Sequence, residues 1–449
     1  MAKKNHVKYS CNSCGNIHTS WSGKCSQCGE WNTLVESIEI TNMQIKQNGV
    51  NLKVQSVSEV SAKEIKERIK SGDEQLDTVL GGGFVQGSVV LLAGQPGIGK
   101  STLLLQIAHE VSFNVPTLYV SGEESAHQVA SRAERLNKGK SDLKLASSTV
   151  ADDIAKTISS GQFKVVIVDS IQTITCNDIS STAGSVSQIT NSSNMLSQAS
   201  KASDTTLIMV GHVTKEGSIA GPKILEHSVD AVLQLEGDRY GGFKVLRSVK
   251  NRFGSTNEAA IYEMKEGGLV PVDNPSASLL EERQVTDGSV VLATMEGTRP
   301  LLVEIQALVN TSSYGYPKRA SSGFDQNRLN LLIAMLEKRT KLQLGDKDIY
   351  VNVVGGIAVN EPAADLAICM AIASASKGMQ LKKNAVVFGE LGLSGEVRHV
   401  SHIDKRVAEA RKLGFEAAIG PKYRGEGKIT LLTPVRDIRS ALNNFLEKE

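Results

Sequence analysis

The sequence predicts a multidomain α/β protein, with a parallel-sheet domain between a small N-terminal metal-binding module and an α+β C-terminal region. Three observations predict this fold class. Four of the six cysteines fall within the first 28 residues, short apolar runs alternate with helical stretches in the middle, and a Gly- and Pro-rich break near residues 267–278 precedes a further series of strands and helices. A chain of 449 residues is long enough for about two to three domains.

The composition is that of an ordinary soluble protein, with 40% hydrophobic and 22% charged residues. Lys+Arg 50 against Asp+Glu 48 leaves a net charge of +2, so any nucleic-acid site must be a local patch. No apolar run approaches the ~18 residues that a membrane span needs, and the N-terminus has no signal-peptide core. These features exclude collagen-like, membrane, secreted and wholly disordered proteins, and they predict a cytoplasmic protein with no membrane partner.

The N-terminal cysteines form two Cys-x-x-Cys pairs, Cys11 with Cys14 and Cys25 with Cys28, each followed by glycine. This spacing suits a tetrahedral zinc ion. Two disulfides or a redox pair are the alternatives, disfavoured by a reducing cytosol and by the absence of a thioredoxin-like βαβ context. Because four thiolates fill the coordination sphere, we expect a structural rather than a catalytic zinc site.

Shifts in composition predict the order of the segments. They are a zinc-finger module over residues 1–35, a polar linker over 36–60, an α/β domain over 61–270, a second linker over 271–284 and an α+β domain over 285–449. Four apolar runs in the α/β domain predict buried parallel strands, joined by helical crossovers. These runs are Ser88–Gly94, Pro116–Gly122, Lys164–Ser170 and Thr205–His212.

A complete Walker A motif follows the first of these strands and opens a helix. It consists of Gly94, Gln95, Pro96, Gly97, Ile98, Gly99, Lys100 and Ser101. Its glycines allow the backbone N–H groups to surround phosphates, as a nucleotide such as ATP would require. Lys100 is expected to reach the β- and γ-phosphates, and the hydroxyl of Ser101 to bind Mg²⁺.

Two further strand ends supply carboxylates. Asp169 follows the apolar run Val165–Val168 and is the expected Walker B ligand of Mg²⁺. Glu123 and Glu124 follow the Pro116–Gly122 strand, and one of them is the expected base that orients or deprotonates the attacking water. The carboxyl ends of parallel strands meet at one edge of a sheet, so we expect these groups near the nucleotide.

A strand and a glutamate placed between Walker A and Walker B resemble the RecA/DnaB/KaiC superfamily of oligomeric ATPases. The stretch Leu76–Gly83 also resembles that superfamily's approach to the phosphate loop. The superfamily's strand–Glu motif matches Tyr119–Glu123, so the resemblance favours Glu123 as the catalytic carboxylate. It implies a RecA-like ATPase core.

The zinc module, the ATPase region and one pentapeptide together resemble the bacterial RadA (Sms) family of DNA-repair proteins. The pentapeptide is Lys250, Asn251, Arg252, Phe253 and Gly254. The resemblance implies a DNA-stimulated ATPase of the helicase type that uses ATP, Mg²⁺ and Zn²⁺ and forms a homo-oligomeric ring, expected to be a hexamer. It also implies action on single-stranded and branched DNA alongside RecA recombinase, promoting strand exchange and branch migration.

Lys250 and Arg252 are two residues apart, so on a strand they would share a face. They could meet DNA phosphates, or a neighbouring subunit's nucleotide as an arginine finger does. Phe253 is either a core residue or a stacking surface. Residues 178–188 and 214–227 stand where superfamily members place DNA-facing loops, and His212 is either a γ-phosphate sensor or a structural histidine.

The region from about residue 285 resembles the proteolytic domain of Lon, through Asn360–Asp365 and the segment 389–406. The catalytic serine position of Lon falls on Ala363 and the lysine position on Asp404. A Lon-protease-like scaffold without its catalytic dyad is therefore expected, and an ATP-dependent protease is disfavoured.

This scaffold has two possible uses, holding a ring together or presenting basic residues to DNA. The basic residues concerned are Lys382, Lys383, Arg398 and Arg406, which could equally form a solvated face. The remaining alternative for the whole chain is a nucleotide-gated scaffold or signalling ATPase that does not move DNA.

Overall fold

A computed structural model describes residues 8–11, 16–37, 68–136, 141–212, 224–237, 242–312, 315–382 and 384–448. The chain forms two compact units, Met1–Lys66 and Glu67–Glu449. Four sequence-predicted features lie outside the described residues: Cys14, the linker beyond Ser37, residues 214–223 of the second loop, and Lys383. No helix in the described part of the chain has the length and apolar character required to cross a membrane.

The first unit contains a small antiparallel sheet in the order β2-β1-β3. Its strands are β1 (Lys8–Cys11), β2 (Ile17–His18) and β3 (Leu34–Ser37). The buried core is correspondingly small, formed by Cys11, Cys25 and Leu34 with Tyr9 packed against them. So few apolar side chains are marginal for stability, and a bound metal is the usual supplement in a module of this size.

The second unit begins with a two-stranded ribbon and a nine-stranded sheet in the order β14-β13-β12-β11-β6-β10-β9-β7-β8. The strands are β4 (Arg68–Ile69), β5 (Phe84–Val85), β6 (Val89–Gly94), β7 (Thr117–Ser121), β8 (Lys144–Ser147), β9 (Val165–Asp169), β10 (Thr206–His212), β11 (Ala231–Gly237), β12 (Phe243–Asn251), β13 (Ala259–Lys265) and β14 (Gly268–Pro271). The six strands from β11 to β8 are parallel, whereas β12, β13 and β14 extend the sheet antiparallel.

Helices cover both faces of this sheet. They are α1 (Glu74–Leu80), α2 (Lys100–Ser112), α3 (Ala126–Arg135), α4 (Ala151–Ser159), α5 (Val186–Ser203) and α6 (Ile224–Ser228). In the central strand β6, Val90 and Leu92 pack with α1, α2 and α3, while Val89, Leu91 and Ala93 pack with α4 and α5. Both faces of β6 are therefore buried, which explains its uninterrupted apolar sequence.

The C-terminal region is a mixed seven-stranded sheet, in the order β17-β18-β16-β15-β20-β23-β24, with two small ribbons. Its elements are α7 (Pro275–Leu280), β15 (Ser289–Glu296), β16 (Arg299–Thr311), β17 (Arg319–Ser322), α8 (Gln326–Thr340), β18 (Lys347–Val353), α9 (Asp365–Lys377), β19 (Gln380–Leu381), β20 (Ala385–Val387), β21 (Glu390–Leu391), β22 (Val397–Arg398), α10 (Ile403–Lys412), β23 (Ala417–Gly420), β24 (Leu432–Pro434), α11 (Ile438–Phe445) and β25 (Leu446–Glu447). The α/β fold class, with its N-terminal ribbon and α+β C-terminal region, is confirmed.

The C-terminal region shares its hydrophobic core with the large sheet. Phe243 and Val245 of β12, with Ile261 of β13, belong to the same buried cluster as the apolar side chains of β15 and β16. Arg247 adds an ionic link, because it donates to Glu296 at 2.8 Å and also pairs with Glu236. The two regions therefore pack as one body.

Three segments differ from the simplest sequence expectation. The expected linker at 271–284 carries α7, whose Ser276 hydroxyl donates to Glu409 at 2.8 Å. The end of the expected loop 214–227 belongs to α6. The expected loop at 178–188 enters α5, and the buried amide of Gln188 fastens it by accepting from the N–H of Cys176 and donating to carbonyls of the loop. In each case side-chain hydrogen bonds order a polar segment that composition alone presents as a loop.

Candidate active site

The phosphate loop leaves the carboxyl end of β6 and turns directly into α2. Gly97 and Gly99 adopt φ values of 78° and 114°, a region that side chains disfavour, so the motif requires glycine there. Gly99 is the N-cap of α2, and no side chain caps the helix. The first N–H groups of a helix have no partner within it, and an anion is the natural ligand at such an end.

Lys100 lies buried beneath this loop. Its Nζ donates to the carbonyls of Gly94 and Gln95, both at 2.9 Å, and lies 3.2 Å from Nδ1 of His212. Burial lowers the pKa of the Lys100 ammonium to about 8, although the nearby carboxylates of Asp169 and Glu123 oppose this shift. The ammonium is therefore held at the loop with little solvent, where the charge of a phosphate would stabilise it.

Asp169 is the last residue of β9 and is also buried. The hydroxyl of Tyr119, on the adjacent strand β7, donates to Oδ2 of Asp169 at 2.6 Å. Burial and the neighbouring carboxylate raise the pKa of Tyr119 well above its ordinary value, so the phenol stays protonated and remains a donor. Tyr119 therefore fixes the orientation of the Asp169 carboxylate. Sequence reasoning missed this role, because the contact depends on β7 and β9 being neighbours in the sheet.

The two adjacent glutamates after β7 have different surroundings. Glu123 is 46% exposed, and its Oε1 accepts from the hydroxyl of Ser170 at 2.5 Å and lies 3.5 Å from Nε2 of His212. Glu124 instead forms an ion pair with Arg132 of α3. The structure thus brings Glu123 toward the phosphate loop and directs Glu124 toward the following helix.

His212, at the end of β10, stands between the two groups already described. One ring nitrogen is near Lys100 and the other is near Glu123. The imidazole therefore lies between the ammonium and the carboxylate. Its strand also leads into residues 213–223, so the ring lies where the phosphate site meets the following segment.

These residues suit a magnesium nucleotide. Mg²⁺ prefers oxygen ligands. The carboxylate of Asp169 lies near the Lys100 ammonium, and Ser101, which carries a hydroxyl, follows Lys100 in the first turn of α2. The uncapped amino end of α2 suits the phosphates. The donor set therefore agrees with the cofactors that the sequence predicts.

The pentapeptide 250–254 lies at the opposite end of the sheet from the phosphate loop. Asn251 pairs with Ala231, which pairs with Val90, whereas the phosphate loop starts at Gly94 beside Leu235. Four residues of β6 correspond to about 13 Å along the strand. Within one chain, the pentapeptide is thus separated from the nucleotide site.

Each polar residue of the pentapeptide is tied to another element. Lys250 Nζ donates to the carbonyls of Glu226 and Val229, at 2.6 and 2.8 Å, and so closes the C-terminal end of α6. Arg252 is 55% exposed and pairs with Asp230 at 3.1 Å. Asn251 holds the end of α1 by donating to the carbonyl of Leu80 at 3.2 Å.

Backbone contacts of the pentapeptide complete this junction. The carbonyl of Phe253 accepts from Arg68 at 2.8 Å. A side chain on Gly254 would stand 3.3 Å from the Cα of Gly81. The pentapeptide and the Leu76–Gly83 motif, which the sequence presents separately, therefore pack against one another.

The position equivalent to a peptidase dyad contains no reactive group. Ala363 is buried, Asp404 is exposed, and Lys405 donates to the carbonyl of Thr298 at 3.2 Å. Arg406, offered above as a possible DNA contact, is fully buried and bound to Glu361 through two hydrogen bonds of 2.8 and 2.7 Å. That expectation is wrong, because this guanidinium has no access to solvent.

In the N-terminal unit, Cys11, Cys25 and Cys28 place their sulfur atoms within 4.8 Å of one another. The Cys11 and Cys28 sulfurs are 3.6 Å apart, much longer than the ~2.0 Å of a disulfide. Backbone N–H groups, that of Cys28 first, lower the pKa of the Cys25 thiol to about 5. Thiolates grouped in this way bind a soft metal ion, and zinc suits them.

Family models match three separate stretches of the chain. A model of the rubredoxin metal binding domain matches residues 9–36, a model described as AAA domain matches 56–218, and a model described as subunit ChlI of Mg-chelatase matches 324–424. The solved structure of the KaiC-like protein PH0186 from Pyrococcus horikoshii matches with a TM-score of 0.38 and 20% identity, over 46% of this chain and 99% of that one.

Several relatives match over nearly the whole chain and are named DNA repair protein RadA. The DNA repair protein RadA of Aquifex aeolicus is 46% identical over 419 residues, covering 93% of this chain and 94% of that protein. The DNA repair protein RadA of Salmonella typhimurium is 44% identical, with 99% of each chain covered. The chain belongs to the DNA repair protein RadA family.

Proposed function

We propose that this protein is a DNA-dependent ATPase motor of recombinational DNA repair. It would act as a ring, expected to be a hexamer, on single-stranded and branched DNA, and promote strand exchange and branch migration by RecA recombinase. The observation that carries the ATPase part is the cluster of Lys100, His212, Glu123 and Asp169 at one edge of the sheet. Family membership supports the DNA-repair part.

The site residues have distinct roles in this proposal. The amino end of α2 and Lys100 would bind the β- and γ-phosphates, and Ser101 with Asp169 would hold Mg²⁺. A bound Mg²⁺ would offset the negative charge of those phosphates. Glu123, half-exposed beside the loop, would orient the attacking water and accept its proton, while Ser170 holds that carboxylate in place.

Lys250 and Arg252 would act outside their own nucleotide site, on DNA or on a neighbouring subunit's nucleotide. Their separation from the phosphate loop of the same chain supports this part of the proposal. Arg252 is the better candidate for direct contact, since it is exposed, whereas carbonyl oxygens already surround the ammonium of Lys250.

The test is ATP turnover by the purified full-length protein, with and without single-stranded DNA, over a series of salt concentrations. Turnover that rises with DNA and loses this stimulation as salt increases supports a motor that tracks the phosphate backbone. The Lys100→Ala variant should fold normally and have no ATP turnover. Retained turnover would contradict the assignment of the phosphate loop as the site of ATP hydrolysis.

Two results would redirect the proposal. Turnover indifferent to DNA would favour a nucleotide-gated scaffold over a motor. DNA-stimulated turnover that is unchanged in both Lys250→Ala and Arg252→Ala would remove the pentapeptide from the coupling between DNA and ATP.

A further inference from the structure

The N-terminal unit leaves both tryptophans of the chain on its surface. Trp21 is 61% exposed and Trp31 is 68% exposed. These are the largest apolar side chains available to a module in whose described part three residues form the buried core. A small module gains stability by burying an indole, so two exposed ones indicate a binding surface.

Nearby residues place a positive charge beside the exposed ring of Trp31. The ammonium of Lys24 lies 5.6 Å from the centre of the Trp31 ring, and Lys24 pairs with Trp31 across a β-bridge. Gly23 has no side chain, and a Cβ there would stand 3.6 Å from the ring. The N–H of Asn32 donates to the carbonyl of Gly23 at 2.8 Å, which ties the two segments together.

A flat aromatic surface next to a cation matches one ligand chemistry well. A nucleobase is planar and stacks on an indole, and the phosphate attached to it is attracted to an ammonium. Bases are available for stacking in single-stranded DNA, whereas in a duplex they are already stacked and paired. We propose that Lys24 and Trp31 form a stacking surface for unpaired nucleobases. This rests on the proposed function, which supplies single-stranded DNA as a ligand.

The protein provides its own probe for this surface. Since the chain has two tryptophans and both lie in the N-terminal unit, its indole fluorescence reports on that unit. Adding an oligothymidylate to the full-length protein should quench this emission with a saturable dependence on concentration. Polyphosphate of similar charge should not quench it, since it offers no base.

Matched variants separate stacking from general effects. Trp31→Ala should weaken oligothymidylate binding on the order of tenfold, as expected for one lost stacked base, and Trp31→Phe should restore much of it. Tyr316→Ala is the control, because Tyr316 is an aromatic side chain 87% exposed in the C-terminal region. Zinc content of one ion per chain in each variant shows that the module still folds.

The outcomes distinguish this inference from the proposed function. DNA-stimulated turnover with unchanged tryptophan emission would overturn the stacking surface and leave the motor intact. Quenching by polyphosphate alone, or by a protein partner and not by DNA, would also overturn it. Loss of both stimulation and quenching would count against the proposed function itself.

Discussion

Charged side chains cluster both at the nucleotide edge of the large sheet and around Arg406 in the C-terminal region. The two clusters differ in their exposure and in how far their polar groups are already hydrogen-bonded. At the nucleotide edge, Lys100 has a pKa lowered to about 8, and Glu123 remains half-exposed. In the C-terminal cluster, Arg406 is fully buried, and its guanidinium donates two hydrogen bonds to the carboxylate of Glu361.

The difference shows how a charged cluster can be identified as reactive or structural. A reactive group needs either access to a ligand or a perturbed pKa. Glu123 is half-exposed beside the phosphate loop, and burial lowers the pKa of Lys100 to about 8. A structural group is desolvated and hydrogen-bonded, as Arg406 is, since each of its guanidinium nitrogens donates to Glu361, Ala293 or Ser401. Arg406 and Glu361 therefore stabilise the packing of the C-terminal region, whereas Lys100 and Glu123 remain available to a ligand.

The strongest test of this contrast is the pair of adjacent glutamates. Glu123→Gln should lower ATP turnover about 10²- to 10⁴-fold, because the amide cannot accept a proton from water. Nucleotide binding should persist, since Lys100 and Asp169 are unchanged. Glu124→Gln is the matched control and should retain most turnover, because Glu124 faces Arg132. Steady-state turnover and nucleotide affinity measure both, and equal losses in the two variants would contradict the assignment.

The same contrast predicts an effect on folding stability at Arg406. Arg406→Ala should cost about 3–5 kcal/mol of unfolding free energy, because it leaves Glu361 without its buried partner. Arg398→Ala should cost less than about 1 kcal/mol, since its ion pair with Glu396 is exposed. Denaturant unfolding of the full-length protein measures both, and similar values for the two variants would show that burial is not the deciding factor.

A smaller effect is expected at the residue that orients Asp169. Tyr119→Phe removes one hydrogen bond and keeps the ring, so the core of the sheet should be preserved. Removal of such a supporting partner typically weakens metal binding or activity about 10- to 100-fold. The Mg²⁺ concentration for half-maximal turnover should therefore rise in this variant. An unchanged Mg²⁺ dependence would mean that the phenol has no part in positioning the carboxylate.

The smallest predicted effect is a pH dependence. The pKa of Lys100 in the folded protein, about 8, lies below the ordinary ~10.4 of lysine. Affinity for ATP should therefore decline as pH rises through about 8, where the ammonium loses its proton. Lys100→Arg keeps its charge in this range, so its affinity, though altered, should stay flat with pH. A wild-type affinity that is also flat up to pH 10 would contradict this view of Lys100.

The pH dependence of folding stability has the opposite sign to that of ATP affinity. Between pH ~8 and ~10.4 the unfolded chain binds more protons than the folded one at this position, so the Lys100 contribution favours folding increasingly as pH rises. Comparing wild-type unfolding with that of Lys100→Met over this range isolates the contribution. If the difference in unfolding free energy between the two proteins does not change with pH, the predicted Lys100 contribution is contradicted.

Local signals predicted the nucleotide edge well. The apolar run ending at Asp169 and the glycines before Lys100 are contiguous in sequence, so strand ends and motif positions could be predicted within about one residue. The burial of Arg406 could not be predicted from the sequence, because it depends on a contact with Glu361, 45 residues earlier. The Tyr119–Asp169 hydrogen bond was also out of reach, since it requires knowing that β7 and β9 are neighbours.

The shared core between the large sheet and the C-terminal region has a consequence for dissecting the protein. Three family models match three separate stretches, which suggests pieces that could be expressed one at a time. Yet Phe243, Val245 and Ile261 would lose their apolar cover if the chain stopped after the ATPase strands, and Arg247 would lose Glu296. Within the second unit, therefore, the family-model boundaries do not mark a folding unit, and a truncation after the ATPase strands would expose these apolar side chains to water.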